Sequence, residues 1–146
     1  MNPTNRFQDE NKVLTHFNEE VWVVCSSCSK KAIAKIDATE KTARLYCVHC
    51  GYNKEVSTAI GKAGYLKMSV HVFFDAALWL TANFKNEMFC AFNDKHLEYL
   101  ERYISAGLRE HKDRTHFTLL EKLPKFYHEA KNRNALLRII KKLKDK

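Results

Sequence analysis

Several features that classify many proteins are scarce or absent in this chain of 146 residues. It has only four glycines and two prolines, and 45% hydrophobic and 29% charged residues are typical of a folded domain. Disorder is therefore not expected outside the ends of the chain. No apolar run reaches the roughly 18 residues of a membrane span, and the opening MNPTNRFQDENK lacks the regions of a secretory signal. We therefore expect a cytoplasmic protein without a membrane-spanning segment.

The short motifs of the commonest catalytic sites are also missing. The chain has no G-x-S-x-G, no H-E-x-x-H, no glycine-rich phosphate loop and no paired carboxylate motif. Its seven histidines are scattered without the spacing of metal ligands. The sequence therefore predicts a protein that is not an enzyme and offers no evident small-molecule substrate site, with a basic nuclease lacking a recognisable motif as a third alternative.

Cysteine is scarce too, yet four of the five cysteines stand in two C-x-x-C pairs, in VWVVCSSCSK and in ARLYCVHCGY. Cytoplasmic thiols stay reduced, so such pairs indicate metal or redox chemistry instead of structural disulfides. Eighteen residues separate Cys28 from Cys47, which falls within the spacing of four-cysteine zinc sites, and Zn²⁺ takes four thiolates in a tetrahedral shell. The sequence predicts one structural Zn²⁺ bound by Cys25, Cys28, Cys47 and Cys50.

Other chemistries compete for these residues. An iron–sulfur centre also takes four cysteine ligands, whereas a thioredoxin-type redox pair needs a single C-x-x-C at the start of a helix. His49 lies inside the second pair and is expected to be an exposed neighbour, because both cysteines of that pair are present. A closed shell of four cysteines leaves no open position, which favours a structural metal. Cys90, the fifth cysteine, is expected to be a small buried residue.

Hydrophobic patterning predicts an α+β protein that begins with a polar segment, 1–19, containing one or two helical turns. Short strands are expected at VWVV, KKAIAKID, TARLY and YNKEVS, because these runs are β-rich and bounded by turn residues. Residues 20–60 would then form a zinc ribbon, a small antiparallel sheet that carries both cysteine pairs.

Residues 61–146 are predicted to form a second unit, a β-hairpin packed with about three helices. The hairpin would join VHVFFDAALWLTA to MFCAFN through a turn of about five residues, NFKNE. The first helix is expected from Asn93 or Asp94 to Glu110, with Leu97, Leu100, Ile104 and Leu108 on one face. Thr118 begins a short helix in a capping box, 125–133 can be helical, and NALLRIIKKLKDK ends the chain as a basic helix.

The formal net charge of +8 is concentrated near the end of the chain. Between residues 122 and 146, nine lysines and arginines stand against two acidic residues, a balance of +7. Such a charge favours an anionic partner, either nucleic acid or an acidic protein surface. Arg44, Tyr46, Tyr52 and Lys54 add basic and aromatic side chains to the ribbon. The residues predicted to contact nucleic acid are Lys30, Lys31, Lys35, Arg133, Arg138, Lys141 and Lys142.

The two cysteine pairs resemble the zinc ribbon of basal transcription initiation factors, a module also found in polymerase subunits and replication proteins. Beyond the ribbon, ALWL (77–80), AFNDKHLEYLERYISAGLRE (91–110) and LPKFYHEAKNRNALLRIIKKL (123–143) are similar to an uncharacterised family of small bacterial proteins that carry such a ribbon. The resemblance implies zinc binding and little further function. It also implies a cysteine-and-glycine turn between the hairpin strands, where this chain has NFKNE.

Two functional hypotheses follow from these features. The first is a non-enzymatic zinc-ribbon protein that binds nucleic acid or associates with the transcription or replication machinery. The alternative is a protein-interaction module, an adaptor or a neutralising partner of another protein, in which the zinc is purely structural. The salt dependence of binding distinguishes the two hypotheses. Affinity that comes from phosphate contacts falls steeply with ionic strength, whereas affinity that comes from an apolar interface changes little.

Overall fold

The computed structural model of the chain describes residues 6–9, 17, 19–62, 64–66, 68–106, 108–111 and 123–146. Three 3₁₀ turns, at Val70–Phe74, Lys125–Tyr127 and Ala130–Asn132, accompany the longer elements. In chain order, the strands are β1 (Arg6–Asp9), β2 (Glu20–Val24), β3 (Lys31–Asp37), β4 (Thr42–Tyr46), β5 (Asn53–Ser57), β6 (Ala59–Ile60), β7 (Gly64–Tyr65), β8 (Leu80–Phe84), β9 (Glu87–Ala91) and β10 (Leu108–His111), and the helices are α1 (Asp94–Ser105) and α2 (Arg133–Lys144). This composition confirms the predicted α+β class.

Contacts between residues divide the chain into two compact units. We call Phe17–Thr81 with Cys90–Asn93 the sheet unit, and Met1–His16, Ala82–Phe89 and Asp94–Lys146 the helical unit. The sequence predicts a different division, into a polar segment (1–19), a zinc ribbon (20–60) and a hairpin with helices (61–146). That division stays a prediction.

The sheet unit is built on a four-stranded antiparallel sheet with the order β2-β3-β4-β5. Side chains alternate across it, so that one face buries small residues and Leu45 while the other stays half-buried or exposed. The 3₁₀ turn Val70–Phe74 packs against β2, β3 and β4, and its Val70 is fully buried. The buried residues of the three strands are Val21, Val23, Ala32, Ala34, Ala43 and Leu45. The four predicted strands are thus present.

Backbone hydrogen bonds extend the sheet unit beyond the edge of β2. The Trp22 N–H donates to the Phe92 carbonyl at 2.7 Å, and the Val24 N–H donates to the Ala77 carbonyl at 2.9 Å. The buried Asn93 side chain donates through Nδ2 to the carbonyls of Phe17 (3.1 Å) and Glu20 (2.7 Å). These bonds pair backbone N–H and C=O groups on the outer edge of β2. In an exposed edge strand the same groups would have no partner in the protein.

The β8–β9 hairpin is shorter than the patterning predicts. VHVFF, expected as part of its first strand, is the 3₁₀ turn Val70–Phe74, because its apolar residues cover the small-residue face of the sheet. The expected five-residue turn is also wrong, since Asn83, Phe84 and Glu87 lie in strands and only Lys85 and Asn86 remain between them. Lys85 takes the left-handed conformation, φ 54°, that two-residue hairpin turns require.

In the helical unit, α1 ends at Ser105 and does not reach Glu110 as predicted. Leu108, expected on the helix, lies in β10, which pairs in parallel with β1. The helical turns expected within 1–19 are likewise wrong at Arg6–Asp9, which is β1, and residues 10–16 lie outside the described residues.

Helix α2 matches its prediction closely. Leu136, Ile140 and Leu143 are buried and Ile139 is half-buried, while the basic side chains between them point outward. α1 and α2 pack against each other. The predicted helix over 125–133 is two 3₁₀ turns instead, Lys125–Tyr127 and Ala130–Asn132. Phe126 and Tyr127 in the first of them are buried in the core. The short helix expected at Thr118 lies outside the described residues.

Aromatic contacts fill the core of the helical unit. Phe84 and Phe126 stack with ring centroids 5.4 Å apart, and Phe89 and Tyr127 meet at 5.3 Å. The Tyr103 hydroxyl hydrogen-bonds His128 Nδ1 at 2.6 Å.

Across the described ranges, every helix is too short or too polar to cross a lipid bilayer.

Candidate metal centre

The first cysteine pair forms a tight turn, or knuckle, between β2 and β3. The Cys25 N–H donates to the Lys30 carbonyl at 2.7 Å, and the Ser29 N–H donates back to the Cys25 carbonyl at 2.9 Å. Ser29 has a φ of 64°, in the left-handed region that serine rarely adopts. The turn therefore presents both sulfurs from one short loop whose backbone is hydrogen-bonded at its base.

The second pair forms the same knuckle between β4 and β5. The Cys47 N–H donates to the Tyr52 carbonyl, and the Gly51 N–H donates to the Cys47 carbonyl, both at 2.9 Å. Gly51, which occupies the place of Ser29, has a φ of 80°. The repeated C-x-x-C spacing thus corresponds to a repeated backbone structure, and the hairpin of β3 and β4 brings the two copies together.

The four sulfur atoms lie within 4.8 Å of one another. Cys25 Sγ is 3.7 Å from Cys50 Sγ, and Cys28 Sγ is 3.6 Å from Cys47 Sγ. In a tetrahedral zinc site with Zn–S bonds of about 2.3 Å, neighbouring sulfurs are about 3.8 Å apart. A disulfide requires about 2.05 Å. The sulfur cluster therefore has the dimensions of a metal shell and not of disulfide bonds.

Backbone and thiol groups around Cys25 favour its ionised form. Burial acts to raise the pKa of the Cys25 thiol, but hydrogen bonds from the backbone N–H groups of Cys28 and Ser27, and from the thiols of Cys50 and Cys28, lower that pKa to about 7. The Ser27 N–H lies 3.4 Å from Cys25 Sγ. N–H groups that point at a sulfur are the outer shell expected of a metal-binding thiolate.

The surroundings of Cys28 favour the neutral form of its thiol. The Lys30 N–H lowers the pKa of the Cys28 thiol, but burial and the neighbouring thiols of Cys47, Cys50 and Cys25 raise that pKa to about 12. Four thiols in so small a volume cannot all ionise beside one another unless a cation neutralises them. The donor set therefore fits a divalent cation that accepts sulfur, and Zn²⁺ is the common one.

The cluster is more exposed on one side than on the other. Cys25 and Cys47 are buried, Cys28 is half-buried and Cys50 is exposed. His49, next to Cys50, is exposed and does not belong to the cluster, as expected from the sequence. Cys90 is half-buried instead of fully buried, and burial raises the pKa of its thiol.

An open cleft of about 310 Å³ lies beside the first knuckle, within the sheet unit. Its lining includes Cys25, Ser29, Tyr52, Lys54 and Asp75. Lys54 pairs with the buried Leu45 across the sheet, so it points to the side of the sheet on which Val70–Phe74 packs. Tyr52 and Lys54 therefore do not share a surface with the other basic and aromatic residues that the sequence singled out on the ribbon.

The predicted nucleic-acid residues of the ribbon lie at two places. Lys30 is exposed on the first knuckle, and Lys31 and Lys35 project from β3 on the face opposite the core. Lys35 Nζ lies 3.2 Å from Glu20 Oε1. Arg44 and Tyr46 project from β4 on that same outer face. Period-two alternation also places Trp22 there, a residue that the sequence interpretation passed over although its strand was predicted.

The other four predicted residues lie on α2. Arg138, Lys141 and Lys142 are exposed, whereas Arg133 is half-buried and its Nε is buried without a hydrogen-bond partner among the described residues. Lys144 forms an ion pair with Glu101 of α1. Residues three and four apart share a helix face, so Arg138, Lys141 and Lys142 form one basic surface.

Comparison with known proteins gives no relative from which a function can be transferred. Neither a family model, nor a curated protein, nor a solved structure matches this chain. The function has to be inferred from the sulfur cluster, the exposed faces and the charges.

Proposed function

We propose that this chain is a non-enzymatic zinc-ribbon protein that uses one structural Zn²⁺ to hold its sheet unit together and that binds nucleic acid. The zinc assignment rests on the convergence of four cysteine sulfurs within 4.8 Å of one another, two pairs of them at 3.6 and 3.7 Å. The ligands are Cys25, Cys28, Cys47 and Cys50. Membership of the bacterial ribbon family resembled by the sequence, and a place beside the transcription or replication machinery, belong to the same proposal.

A structural role for the metal follows from the composition of the sheet core. Ala32, Ala34 and Ala43 are 1%, 0% and 0% exposed, and alanine contributes little apolar area to burial. Small sheets with such cores need a metal or a disulfide to stay folded. Zinc binding contributes roughly 10 to 16 kcal/mol in isolated finger peptides, and four protein ligands leave the ion no open position for a substrate.

The reduced thiols also bear on the compartment. Zinc binding needs free thiolates, and Cys50 is exposed to solvent, so an oxidising compartment would compete for the same sulfurs by forming disulfides. We therefore place the protein in the cytoplasm.

Nucleic-acid binding is inferred from the basic surface of α2. Arg138, Lys141 and Lys142 are exposed, and none of the three has an ion-pair partner within the part of the chain that the structure describes, in contrast to Lys131 and Lys144, which pair with Glu129 and Glu101. Unpaired cations on one helix face are suited to a row of phosphates.

A salt titration tests this proposal. Binding of a fluorescein-labelled oligonucleotide to the zinc-loaded protein should weaken with salt, and the triple variant Arg138→Gln, Lys141→Gln, Lys142→Gln should reduce the slope of log K against log salt by about 2, or about 0.7 for each lost phosphate contact with a single strand. The matched control is Lys131→Gln with Lys144→Gln, which removes two paired lysines and should change the slope less. Salt-independent binding, or an unchanged slope in the triple variant, would contradict the proposal.

A separate observation supports the alternative, a protein-interaction module. Val48, Ile60, Leu66 and Val72 of the sheet unit are 75%, 54%, 42% and 50% exposed, and a protein partner that covered them would bury this apolar area. Capture from cell lysate with and without nuclease separates the two functions. Retained nucleic acid supports the proposal, whereas a single protein partner that resists nuclease supports the alternative.

A further inference from the structure

The outer face of the four-stranded sheet carries two ordered rows of side chains. Trp22, Ile33, Tyr46 and Asn53 are successive cross-strand partners on β2, β3, β4 and β5. All four are half-buried or exposed, in contrast to the buried residues that alternate with them. We call this face, opposite the core of the sheet unit, the open face. Its first row is an apolar and aromatic band across β2, β3 and β4 that ends on β5 at the polar Asn53.

The second row is charged and lies beside the first. Glu20, Lys35, Arg44 and Glu55 are its successive partners. Both cations stand on the central strands β3 and β4, and both carboxylates stand on the edge strands. Lys31, at the knuckle end of β3, is the third cation on this face. The middle of the open face is therefore positive and its margins are negative.

These cations are not equally available to a ligand. Lys35 is tied to Glu20 at 3.2 Å. Arg44 donates from Nε to Asn53 Oδ1 at 3.2 Å, which orients the guanidinium and leaves its two terminal nitrogens for a phosphate. Lys31 Nζ lies over the Trp22 ring, 3.8 Å from its centroid, so a base that stacks on that face has to displace the ammonium, which would then be next to the phosphate of the same nucleotide.

Asp37 also lies on this face, at the far end of β3 from Lys31. It is the last residue of β3, and its Oδ1 accepts a hydrogen bond from the Glu40 N–H at 3.0 Å in the following turn. The carboxylate is therefore committed to the turn at the far end of the strand from Lys31.

We propose that the open face is a base-stacking platform for a single-stranded nucleic acid. Trp22 and Tyr46 stand two strands apart, about 10 Å at the usual strand spacing, so each ring can stack on a different base. Lys31 and Arg44 would contact the phosphates that join those bases. Aromatic rings interleaved with cations on a sheet surface are the arrangement that sequence-tolerant single-strand binding requires. This inference rests on the proposed function and names its ligand class.

Duplex and protein ligands fit the open face less well. In a duplex the bases are paired and stacked on one another, so their faces are not open to Trp22 and Tyr46. A second copy of the chain would bring the positive centre of one open face against that of another, and like charges across an interface disfavour association. An acidic protein surface would meet the cations but would leave the two rings without flat partners.

The test compares two labelled probes of equal length, a 15-nucleotide oligothymidine and a 15-base-pair duplex of mixed sequence, with the full zinc-loaded chain at low salt. Tyr46→Leu should weaken single-strand binding roughly tenfold, the magnitude of one lost stacking contact, and should leave duplex binding unchanged. Tyr46→Phe keeps the ring and should bind as the unmodified chain does. Lys54→Gln removes a cation from the opposite face of the same sheet and is the control for charge.

Arg44→Gln guards against a folding defect in the tyrosine variant, because Arg44 is exposed. It should weaken single-strand binding severalfold and reduce the salt slope by about 0.7. In a Trp79→Phe background Trp22 is the remaining tryptophan, and its fluorescence should be quenched when oligothymidine binds. Unchanged fluorescence at saturating oligothymidine would overturn the platform.

The outcomes separate this inference from the proposed function. Equal affinities of Tyr46→Leu and Tyr46→Phe for the single strand, with the salt slope still reduced in the α2 triple variant, overturn the platform and leave nucleic-acid binding in place. Binding of neither probe at low salt overturns both. A nuclease-resistant protein partner that Tyr46→Leu releases, with oligonucleotide affinity unchanged, assigns the open face to protein and overturns the platform.

Discussion

The sheet unit and the helical unit fill their cores with different materials. Ten side chains are the largest that are fully buried among the described residues. Six of them belong to the helical unit (Tyr99, Phe89, Leu100, Ile104, Leu136 and Ile140) and four to the sheet unit (Leu80, Val21, Val23 and Val70). Two aromatic rings and four large aliphatic chains bury more apolar area than three valines and a leucine. Packing therefore accounts for the stability of the helical unit, whereas the sheet unit has less apolar area to bury and, on our proposal, depends on a metal held by its four cysteines.

The difference shows how two kinds of stabilisation appear in a sequence. A packed helical core is spread over many positions with helical periodicity, so the loss of one residue removes part of its stability. A metal site concentrates stability in four atoms, and the loss of one ligand removes most of it. Mutations in the two units should therefore differ in size and in their effect on the metal.

The largest expected effect is that of Cys28→Ser. Loss of one thiolate should abolish binding of one equivalent of zinc and unfold the sheet unit, because the metal contributes roughly 10 to 16 kcal/mol in comparable peptides, as much as the whole stability of many domains. Elemental analysis measures the zinc and distinguishes it from iron, and amide hydrogen exchange measures protection in β2 to β5. Cys90→Ser is the control and should keep both. A Cys28→Ser variant with an unaltered melting temperature would refute the structural role of the metal.

Leu100→Ala tests the packed core of the helical unit. Leu100 is 0% exposed in α1, so its truncation should lower the free energy of unfolding by about 2 to 5 kcal/mol while zinc stays at one equivalent. Denaturant unfolding followed by circular dichroism measures the change. Glu98→Ala, on the exposed face of the same helix, should stay within about 0.5 kcal/mol. Loss of zinc in Leu100→Ala would show that the two kinds of stabilisation are not separate.

Acid should weaken the helical unit through His96, which is buried in α1. Burial lowers the pKa of His96 from 6.5 to about 4, so between these values the unfolded chain binds a proton that the folded chain excludes. This contribution is complete above pH 6.5 and is lost as the pH falls toward 4, by about 2 kcal/mol at pH 5.

His96→Gln removes this titration, so its free energy of unfolding should fall less between pH 7 and pH 5 than that of the unmodified chain. Denaturant titrations of zinc-loaded protein at the two pH values measure the difference. Because both proteins lose zinc alike at low pH, the difference between them reports His96 alone. Parallel pH profiles would show that His96 is protonated in the folded state.

The smallest effects concern the two knuckles, which share a backbone structure but not a residue at the left-handed position. Gly51→Ala should cost about 1 kcal/mol, because the new Cβ has no atom within 4 Å and only the backbone conformation is strained. Ser29→Gly should stabilise by less than about 1 kcal/mol, since relief of strain is partly offset by a more flexible unfolded chain. Zinc competition with a chelator and thermal unfolding measure both. Equal losses in the two variants would contradict the equivalence of the knuckles.

Some of the fold could be predicted because it depends on short-range patterns. The strands at VWVV, KAIAKID, TARLY and NKEVS were correctly predicted from alternation and turn residues, and α2 from apolar spacing. Errors arose where a tertiary contact overrode local preference. VHVFF has strand composition but forms a 3₁₀ turn over the sheet core, and Leu108 continues a helical stripe but pairs as a strand with β1.

The two candidate sites also differ in how far the sequence predicts them. Two C-x-x-C pairs at ribbon spacing identify four candidate ligands without a structure, because a knuckle is a local turn and thiolate sulfurs are suited to Zn²⁺. The open face could not be predicted from spacing, because Trp22, Ile33 and Tyr46 are neighbours only through the register of three strands. A shift of one residue in that register would turn these side chains to the opposite face, so packing of the small-residue face against Val70 decides which side chains remain available to a ligand.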